Sequence, residues 1–209
     1  MSARSIAVTA RPRDAEGAPA SRAVARKREI LRGAAAAFRD KGYAATSVRY
    51  IARRLSMTPG NLYYYFRNKQ EILYFCQDYS LEVLLREARR IARLPVPPEE
   101  KVRDLVRAQV LCMLDELHGS AGHIEFHAMP KRRLRRIIER RDEYERMVRG
   151  VVEEGVRTGR FAPCDPKLVT LAILGAVNWT ARWYRAEGER PPEAIAGAFA
   201  EYLVRGLRR

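Results

Sequence analysis

The sequence predicts an all-α fold of about nine helices, with a small three-helix head followed by a larger helical body. Three observations predict it. Apolar residues recur every three or four positions along most of the 209-residue chain, which is the spacing of amphipathic helices. Glycines and prolines separate these runs, because glycine commonly ends a helix and proline commonly begins one. No stretch alternates polar and apolar residues as a half-buried strand would.

The N-terminal segments differ in composition. Residues 1–21 mix Ala, Arg, Ser, Pro and Gly without periodicity, so we expect a flexible basic arm. The first helix is predicted over 22–41, because its apolar residues repeat every four positions and Gly42 ends it.

Residues 46–69, TSVRYIARRLSMTPGNLYYYFRNK, predict two short helices joined by a tight turn and followed by a third helix start. Thr46 is expected to cap the first of them. Thr58 is a good N-cap for the second, and Pro59 takes the first helical position, where no N–H is needed.

Three consecutive tyrosines, Tyr63, Tyr64 and Tyr65, follow on the second short helix. Successive helical residues are about 100° apart, so the three cannot all be buried. Leu62 and Phe66 are four residues apart and take the core face. The phenols are therefore expected to point outward or to the flank.

The basic charge lies mainly in the head. Of the net +15, residues 1–70 hold 15 Lys and Arg against 4 Asp and Glu, and residues 71–209 hold 25 against 21. No acid lies between Asp40 and Glu71. A surface helical hairpin with half-buried tyrosines would leave this charge unexplained. A short basic helix pair with small residues at its second start suits the DNA major groove, so we predict helix-turn-helix DNA binding.

The rest of the chain is predicted to be helical. Asn68 caps a fourth helix over 69–92, with Glu71 in the capping-box position, and this helix joins head to body. Glycines and prolines then separate five further helices, expected at 99–117, 123–128, 130–158, 167–186 and 193–207.

Several classes of protein are not indicated. No apolar run approaches the roughly 18 residues of a membrane span. Three distant cysteines without a C-x-x-C pair indicate neither a disulfide framework nor a zinc site, and a reducing cytoplasm fits them. The chain has no nucleophile elbow, P-loop or Rossmann glycine pattern, so we expect no enzyme and no cofactor. His123 and His127 have the spacing of a metal pair but no third ligand, which favours packing or a pocket-lining role.

This layout resembles the TetR family of transcriptional repressors. The match is strong over about 26–75 and topological elsewhere, and it rests on AAAAFRDKGYAATSVRYIARRLSMTPGNLYYYFRNKQEIL. The shared residues include Phe38, Gly42, Tyr43, Thr46, Ile51, Ala52, Gly60, Leu62, Tyr63, Phe66 and Lys69. One departure is Ser56, where the family usually has Gly or Asn. A non-glycine residue in a left-handed turn costs about 1 kcal/mol.

The resemblance implies roles in DNA binding. Thr46, Tyr63 and Lys69 would contact phosphates. The residues that would face base edges, with Tyr65 between base and backbone, are Thr58, Pro59, Gly60, Asn61, Tyr64 and Tyr65. Asn61 is the one able to make a bidentate contact to adenine. The basic arm would follow phosphates or a minor groove, or remain a solvated tail.

The resemblance also implies a homodimer that reads a palindromic operator. The last two predicted helices would form a four-helix seam. Its candidate residues are Leu168, Leu171, Gly175, Phe199, Leu203 and Leu207. A monomeric core would show the same apolar pattern. On this division, residues 1–21 form the arm, 22–70 the DNA-binding domain, and 71–209 the ligand-binding and dimerisation domain.

Two clusters in the body are candidates for an effector site. Trp179, Arg182 and Trp183 share one helical face beside Asn178, where an arginine between two indoles can hold an anionic or flat ligand. A core tryptophan pair with a snorkelling arginine gives the same spacing. The segment resembles the NWxxxWY pattern of TetR regulators that respond to acyl-coenzyme A thioesters of lipid or steroid breakdown.

The second cluster is a run of cations near residue 131. Arg132 and Arg133 belong to five cations within six positions, which would grip the phosphates of a nucleotide-bearing effector. Pairing with acids on the same helix is the favoured alternative. His127 would line the same effector pocket.

The sequence therefore predicts a cytoplasmic bacterial repressor that associates with the nucleoid through DNA. A small effector, an acyl-CoA thioester of fatty-acid or steroid breakdown, would release it from its operator. A ligand-independent DNA-binding regulator, or a repressor that senses another hydrophobic ligand, remains open.

Overall fold

A computed structural model describes residues 19–114 and 129–208 and confirms the all-α fold. These residues form eight helices and no strand, namely α1 (Pro19–Ala45), α2 (Val48–Arg54), α3 (Pro59–Tyr65), α4 (Lys69–Ala92), α5 (Pro98–Leu114), α6 (Lys131–Arg157), α7 (Pro166–Trp183) and α8 (Pro192–Arg205). The short helix predicted at 123–128 lies outside the described residues, as do the histidines and most of the predicted arm.

The helix ends follow local signals in the sequence. Pro59, Pro98, Pro166 and Pro192 each open a helix, because the first turn needs no partner for the proline nitrogen. Gly42 interrupts α1 with a φ of 74°, a conformation in the left-handed region that glycine adopts without strain. The first helix therefore bends at the glycine that the sequence marks as its end.

The head has a core that reaches beyond the three N-terminal helices. Phe38 of α1, Ile51 of α2 and Phe66 after α3 are fully buried together. The first half of α4 adds its apolar face to the same cluster, and α6 contributes Ile137. The core of the head therefore continues past residue 70 and includes the start of a body helix.

The body is built around α5, which packs against α4, α6, α7 and α8. Phe161, which follows α6, is 1% exposed and covers Gly155 so closely that no side chain would fit at that position. Among the described residues, no helix is both long and apolar enough to cross a membrane. Because α4 belongs to both cores, it is the structural connection between head and body.

Candidate functional site

The helix-turn-helix is held by side-chain caps on both short helices. Ser47 Oγ accepts a hydrogen bond from the Tyr50 amide at 3.1 Å and caps α2. Thr58 Oγ1 accepts from the Asn61 amide at 3.2 Å and caps α3, as predicted. Between them Ser56 has a φ of 52°, so the turn does adopt the left-handed conformation that glycine favours.

Contrary to the sequence prediction, Thr46 is buried at the end of α1 and does not cap α2. It is 1% exposed, and its hydroxyl donates to the carbonyls of Ala37 at 3.1 Å and Gly42 at 2.7 Å. The prediction that Thr46 caps α2 is wrong, because its neighbour Ser47 does so. A buried hydroxyl that already serves two carbonyls does not fit the expected phosphate contact, so we assign Thr46 to bracing the end of α1.

The exposed face of α3 carries the residues predicted to meet DNA. Leu62 is fully buried, whereas Tyr63 and Tyr64 are 51% and 85% exposed. Asn61 is exposed on the same short helix, and the Tyr65 ring supports that of Tyr64 edge-on at 5.2 Å. Pro59 and Gly60 at its start are also exposed and leave the helix end accessible.

The cations around α3 are not equivalent. Arg54 is held by Asp40 at 2.6 Å and so ties α2 to α1. Lys69 Nζ donates to the Tyr43 carbonyl at 2.7 Å and lies 4.2 Å from the Tyr43 ring centre, which fixes its charge beside the end of α1. Arg49, Arg53 and Arg67 are also exposed around the helix pair. Together these side chains make the surface around α3 basic.

Glu71 links this head to the body. Its Oε2 accepts from the Arg67 amide at 2.7 Å, and its Oε1 accepts from the Arg133 guanidinium, also at 2.7 Å. Burial alone would raise the pKa of Glu71, but the Arg67 and Arg133 hydrogen bonds bring that pKa below its usual value. Arg133 also lies over the Tyr74 ring. The head therefore holds Arg133 in this structure, while Arg132 stays exposed.

Further ion pairs join α6 to α4. Arg140 pairs with Asp78 at 3.0 Å and with Glu82, and Arg89 pairs with Glu143 at 2.6 Å. The pair of Arg133 reaches across to Glu71 of α4, where the sequence favoured a partner on the same helix. Together with Arg133 and Glu71 these contacts form what we call the α4–α6 ladder.

A cavity of about 120 Å³ lies between α4, α5, α6 and α7 in the body. Its apolar wall consists of Leu81, Leu84, Met113 and Leu174, and its polar wall of Gln109, Arg141, Tyr144 and Asn178. Only Asn178 was predicted from sequence. Gln109 interrupts the apolar face of α5 and was the signal that could have indicated this site.

The predicted tryptophan clamp does not face that cavity. Trp179 is 64% exposed and Arg182 is exposed beside it. Trp183 is 44% exposed and stacks on Phe199 of α8, with ring centres 6.2 Å apart. The three clamp residues are therefore separated from Asn178, which lines the cavity and accepts a hydrogen bond from Gln109.

The predicted dimer seam is largely an exposed apolar face. Leu168 and Leu171 are 65% and 49% exposed, and no atom lies near the open side of Gly175. Phe199 and Leu203 are half-buried on α8. Leu207 differs, since it is 7% exposed and packs in the body core, so its assignment to the seam is wrong.

A basic helix-turn-helix head on a helical body is the architecture of a DNA-binding transcriptional regulator. Residues 30–74 match the bacterial regulatory proteins of the tetR family, and residues 95–207 match the tetracyclin repressor-like C-terminal domain. The chain belongs to the TetR family.

Solved structures of this family are similar along nearly the whole chain. The regulator PfmR from Thermus thermophilus has a TM-score of 0.78 at 30% identity, over 86% of this chain and 99% of that one. KstR2 of Mycobacterium tuberculosis, a ketosteroid transcriptional regulator, has a TM-score of 0.80 at 26% identity, over 88% and 95%. AibR in complex with isovaleryl coenzyme A and operator DNA has a TM-score of 0.74 at 26% identity, over 86% and 98%.

Proposed function

We propose that the chain is a homodimeric repressor that binds a palindromic operator in the bacterial cytoplasm and leaves it when an acyl-CoA thioester binds the body. The observation that carries the proposal is the exposed face of α3, a helix capped by Thr58. Asn61 and Tyr64 lie on this face, and the surface around it is basic. This shape and charge suit the major groove.

We assign different DNA contacts to neighbouring residues of the head. Asn61, Tyr64 and the exposed start of α3 face base edges, with Tyr65 supporting Tyr64. Tyr63 and Lys69 contact phosphates from the flank of α3 and from the start of α4. The N–H groups at that helix start also favour an anion.

Mobility shifts on operator and random DNA test these roles. Asn61→Ala should weaken operator binding about 5- to 150-fold, the range of about 1–3 kcal/mol for one base contact, with little effect on random DNA. Its matched control, Tyr63→Phe on the same helix, should weaken both DNAs alike. Lys69→Gln should also reduce the salt slope by about one. Equal loss on both DNAs for Asn61→Ala would remove it as a base reader.

We assign the exposed face of α7 and α8 to contact with a second copy of the chain. Leu168, Leu171 and Trp179 follow one face of α7, and Tyr202 of α8 is 75% exposed. Large apolar side chains exposed together mark an interaction surface. Trp179 continues this stripe, so we place it in the seam.

Sedimentation and operator binding test the seam. Leu171→Arg should give a monomer with a large loss of operator affinity, because one head then reads only one half-site. Ile138→Arg on α6 is the matched control, since Ile138 has similar exposure and lies outside the seam. A dimeric Leu171→Arg protein with normal operator affinity would contradict the assignment.

The proposed effector class is supported by the similarity to AibR, which is solved with isovaleryl coenzyme A and operator DNA, and by the mixed polar and apolar lining of the body cavity. An effector releases DNA only through its different affinity for the DNA-bound and free arrangements. Native mass spectrometry with acyl-CoA thioesters should show two equivalents per dimer, and the same thioesters should release operator DNA. A dimer that binds none of them removes this effector class and leaves a ligand-independent regulator or a repressor that senses another hydrophobic ligand.

The predicted contacts of Arg132, Arg182 and Trp183 to the effector are tested by the same release assay. All three are exposed, and Trp183 lines a surface pocket together with Phe199, so we assign them to the part of an effector that lies outside the body cavity. Arg182→Ala should then weaken release while operator binding is retained. Unchanged release would place the contact elsewhere.

A further inference from the structure

The start of α6 carries exposed cations whose side chains form no ion pair or hydrogen bond among the described residues. They are Lys131, Arg132, Arg135 and Arg136, and we call them the α6 basic surface. The ion pairs in these turns of the helix belong to Arg133 and Arg140, which both reach α4. Pairing within one helix, which the sequence favoured, therefore does not account for this charge.

Two contacts of the α4–α6 ladder show how α6 is oriented. Arg133 pairs with Glu71, and Arg140 pairs with Asp78. Both pairs join residues that are 62 positions apart in the sequence. Because the offset is the same at two levels, α6 runs parallel to α4 and in register with it.

The register places the first residues of the two helices at the same level. Lys131 begins α6 and follows Lys69, which begins α4, by the same 62 positions. Leu134 and Ile137 agree with this position, because both pack in the core of the head. Side chains lean toward the N-terminus of their helix, so those of Lys131 and Arg135 extend toward the end that adjoins the head.

The α6 basic surface continues the basic surface around α3. Glu71 accepts hydrogen bonds from the Arg67 amide, which follows α3, and from the Arg133 guanidinium of α6. One carboxylate therefore joins the two surfaces, and Arg133 balances its charge. The exposed cations Arg67 and Lys131 belong to the same edge of the head.

The charge lies at the end of α6 that is least favourable for it. The N-terminus of a helix carries a partial positive charge, which acidic side chains stabilise and basic ones destabilise. The first turn of α6 has no acidic residue and no side-chain cap. The cations therefore do not serve the stability of the helix, and an anion beside them would offset their repulsion.

We propose that the start of α6 contacts operator phosphates beside the half-site that α3 reads, with Lys131 and Arg135 as the contact residues. This inference rests on the proposed function, because the position of the DNA is taken from the phosphate contact assigned to Lys69. A phosphate strand suits cations spread along an open surface that is continuous with the head. Such contacts raise the affinity for any sequence and add no base preference.

The double variant Lys131→Gln/Arg135→Gln tests the contact, and Arg132 stays unchanged because its predicted partner is the effector. The matched control is Arg146→Gln/Arg157→Gln, which removes the same charge from exposed positions further along α6. Fluorescence anisotropy measures binding of the full chain to a labelled duplex of random sequence at about 50 and 200 mM KCl.

The salt dependence gives the expected size of the effect. Each phosphate contact contributes about 0.9 to the slope of log affinity against log salt. With two contacts, the parent should lose about tenfold more affinity than the double variant between the two salt concentrations. The control should follow the parent. The double variant should unfold at the same urea concentration as the parent or at a higher one, because it loses cations from a helix N-terminus.

Lys69→Gln separates a failure of this inference from a failure of the proposed function. If Lys69→Gln lowers the salt slope by about one while Lys131→Gln/Arg135→Gln matches its control, the α6 contact is refuted and the head remains the DNA-binding surface. A parent protein that binds no DNA even at the lower salt concentration refutes both. Parental DNA binding with weakened binding of coenzyme A would assign these cations to the effector and would also refute the inference.

Hydroxyl-radical footprinting locates the contact on the DNA. The probe is a duplex that the full chain selects from a random library, and the protein is saturating. The double variant should lose protection of the backbone beside each half-site and keep the protection within it. Unchanged protection at every position would contradict the proposed contact.

Discussion

The pair Arg133–Glu71 should contribute about 1 kcal/mol to stability, and a double-mutant cycle measures it. The two groups are 2.7 Å apart, and their side chains are 31% and 15% exposed. Fully exposed pairs are worth about 0.2–1 kcal/mol, and hydrogen bonds to charged groups about 1.5–3 kcal/mol. A pair of intermediate burial should fall between these values, which corresponds to about a fivefold change in the unfolding equilibrium.

Urea unfolding of the parent, Arg133→Gln, Glu71→Gln and the double variant provides the cycle. Glutamine at 71 retains an oxygen acceptor for the Arg67 amide, so the cycle isolates the charge pair. The coupling should weaken at about 0.5 M salt, since both groups keep some solvent contact. Arg135→Gln, an exposed neighbour on α6, should be close to neutral.

The same variants test whether the pair transmits the effector signal. Arg133→Gln should reduce the ratio of operator affinities measured without and with effector, while effector binding itself changes little. Additive stabilities, with a coupling below about 0.3 kcal/mol, would refute the reasoning from burial and distance. A full coupling with an unchanged affinity ratio would show that the pair stabilises the fold and transmits nothing.

Three further predictions concern stability. Ser56→Gly should raise the free energy of unfolding by about 0.5–1 kcal/mol, seen in urea, because the residue at φ 52° is strained unless it is glycine. Gly155→Ala should lower the melting temperature strongly, because its Cβ would lie 2.1 Å from Phe161, while Gly150→Ala on the same helix has open space and should be neutral or stabilising. Acid should remove the contribution of Glu71: because its folded pKa lies below the ordinary 4.5, that stability is present above pH 4.5 and lost as pH falls through the folded pKa, and Glu71→Gln should lose less over this range.

The helix boundaries and the head were predictable because their signals are local. The cap by Thr58, the proline after it and the glycine that breaks α1 act within one turn of the chain. Such reasoning is accurate only to within one residue. Ser47 caps α2 in place of Thr46. The Glu71 carboxylate accepts from the Arg67 amide, where the capping-box prediction expects the amide of Asn68. Adjacent polar residues compete for the same amides, and packing decides between them.

The body site could not be predicted in the same way. Gln109 and Asn178 are 69 residues apart, and no spacing within either helix reveals the hydrogen bond between them. The tryptophans show the same limit, because the spacing predicts that Trp179 and Arg182 share a face, whereas the packing of α7 leaves both exposed to solvent. Periodicity fixes which residues share a face, whereas tertiary packing decides what the face meets.

An effector bound in the body cavity would act on the DNA-binding face through α4. Its first half is buried in the core of the head, and Leu81 and Leu84 in its second half line the cavity. The α4–α6 ladder ties the same helix to α6, which supplies Arg141 and Tyr144 to the polar wall. An effector that changes the distance between α4 and α6 would therefore change how α4 packs in the core of the head. An effector that fits without moving either helix binds equally well to both arrangements and releases no DNA, however tight its binding.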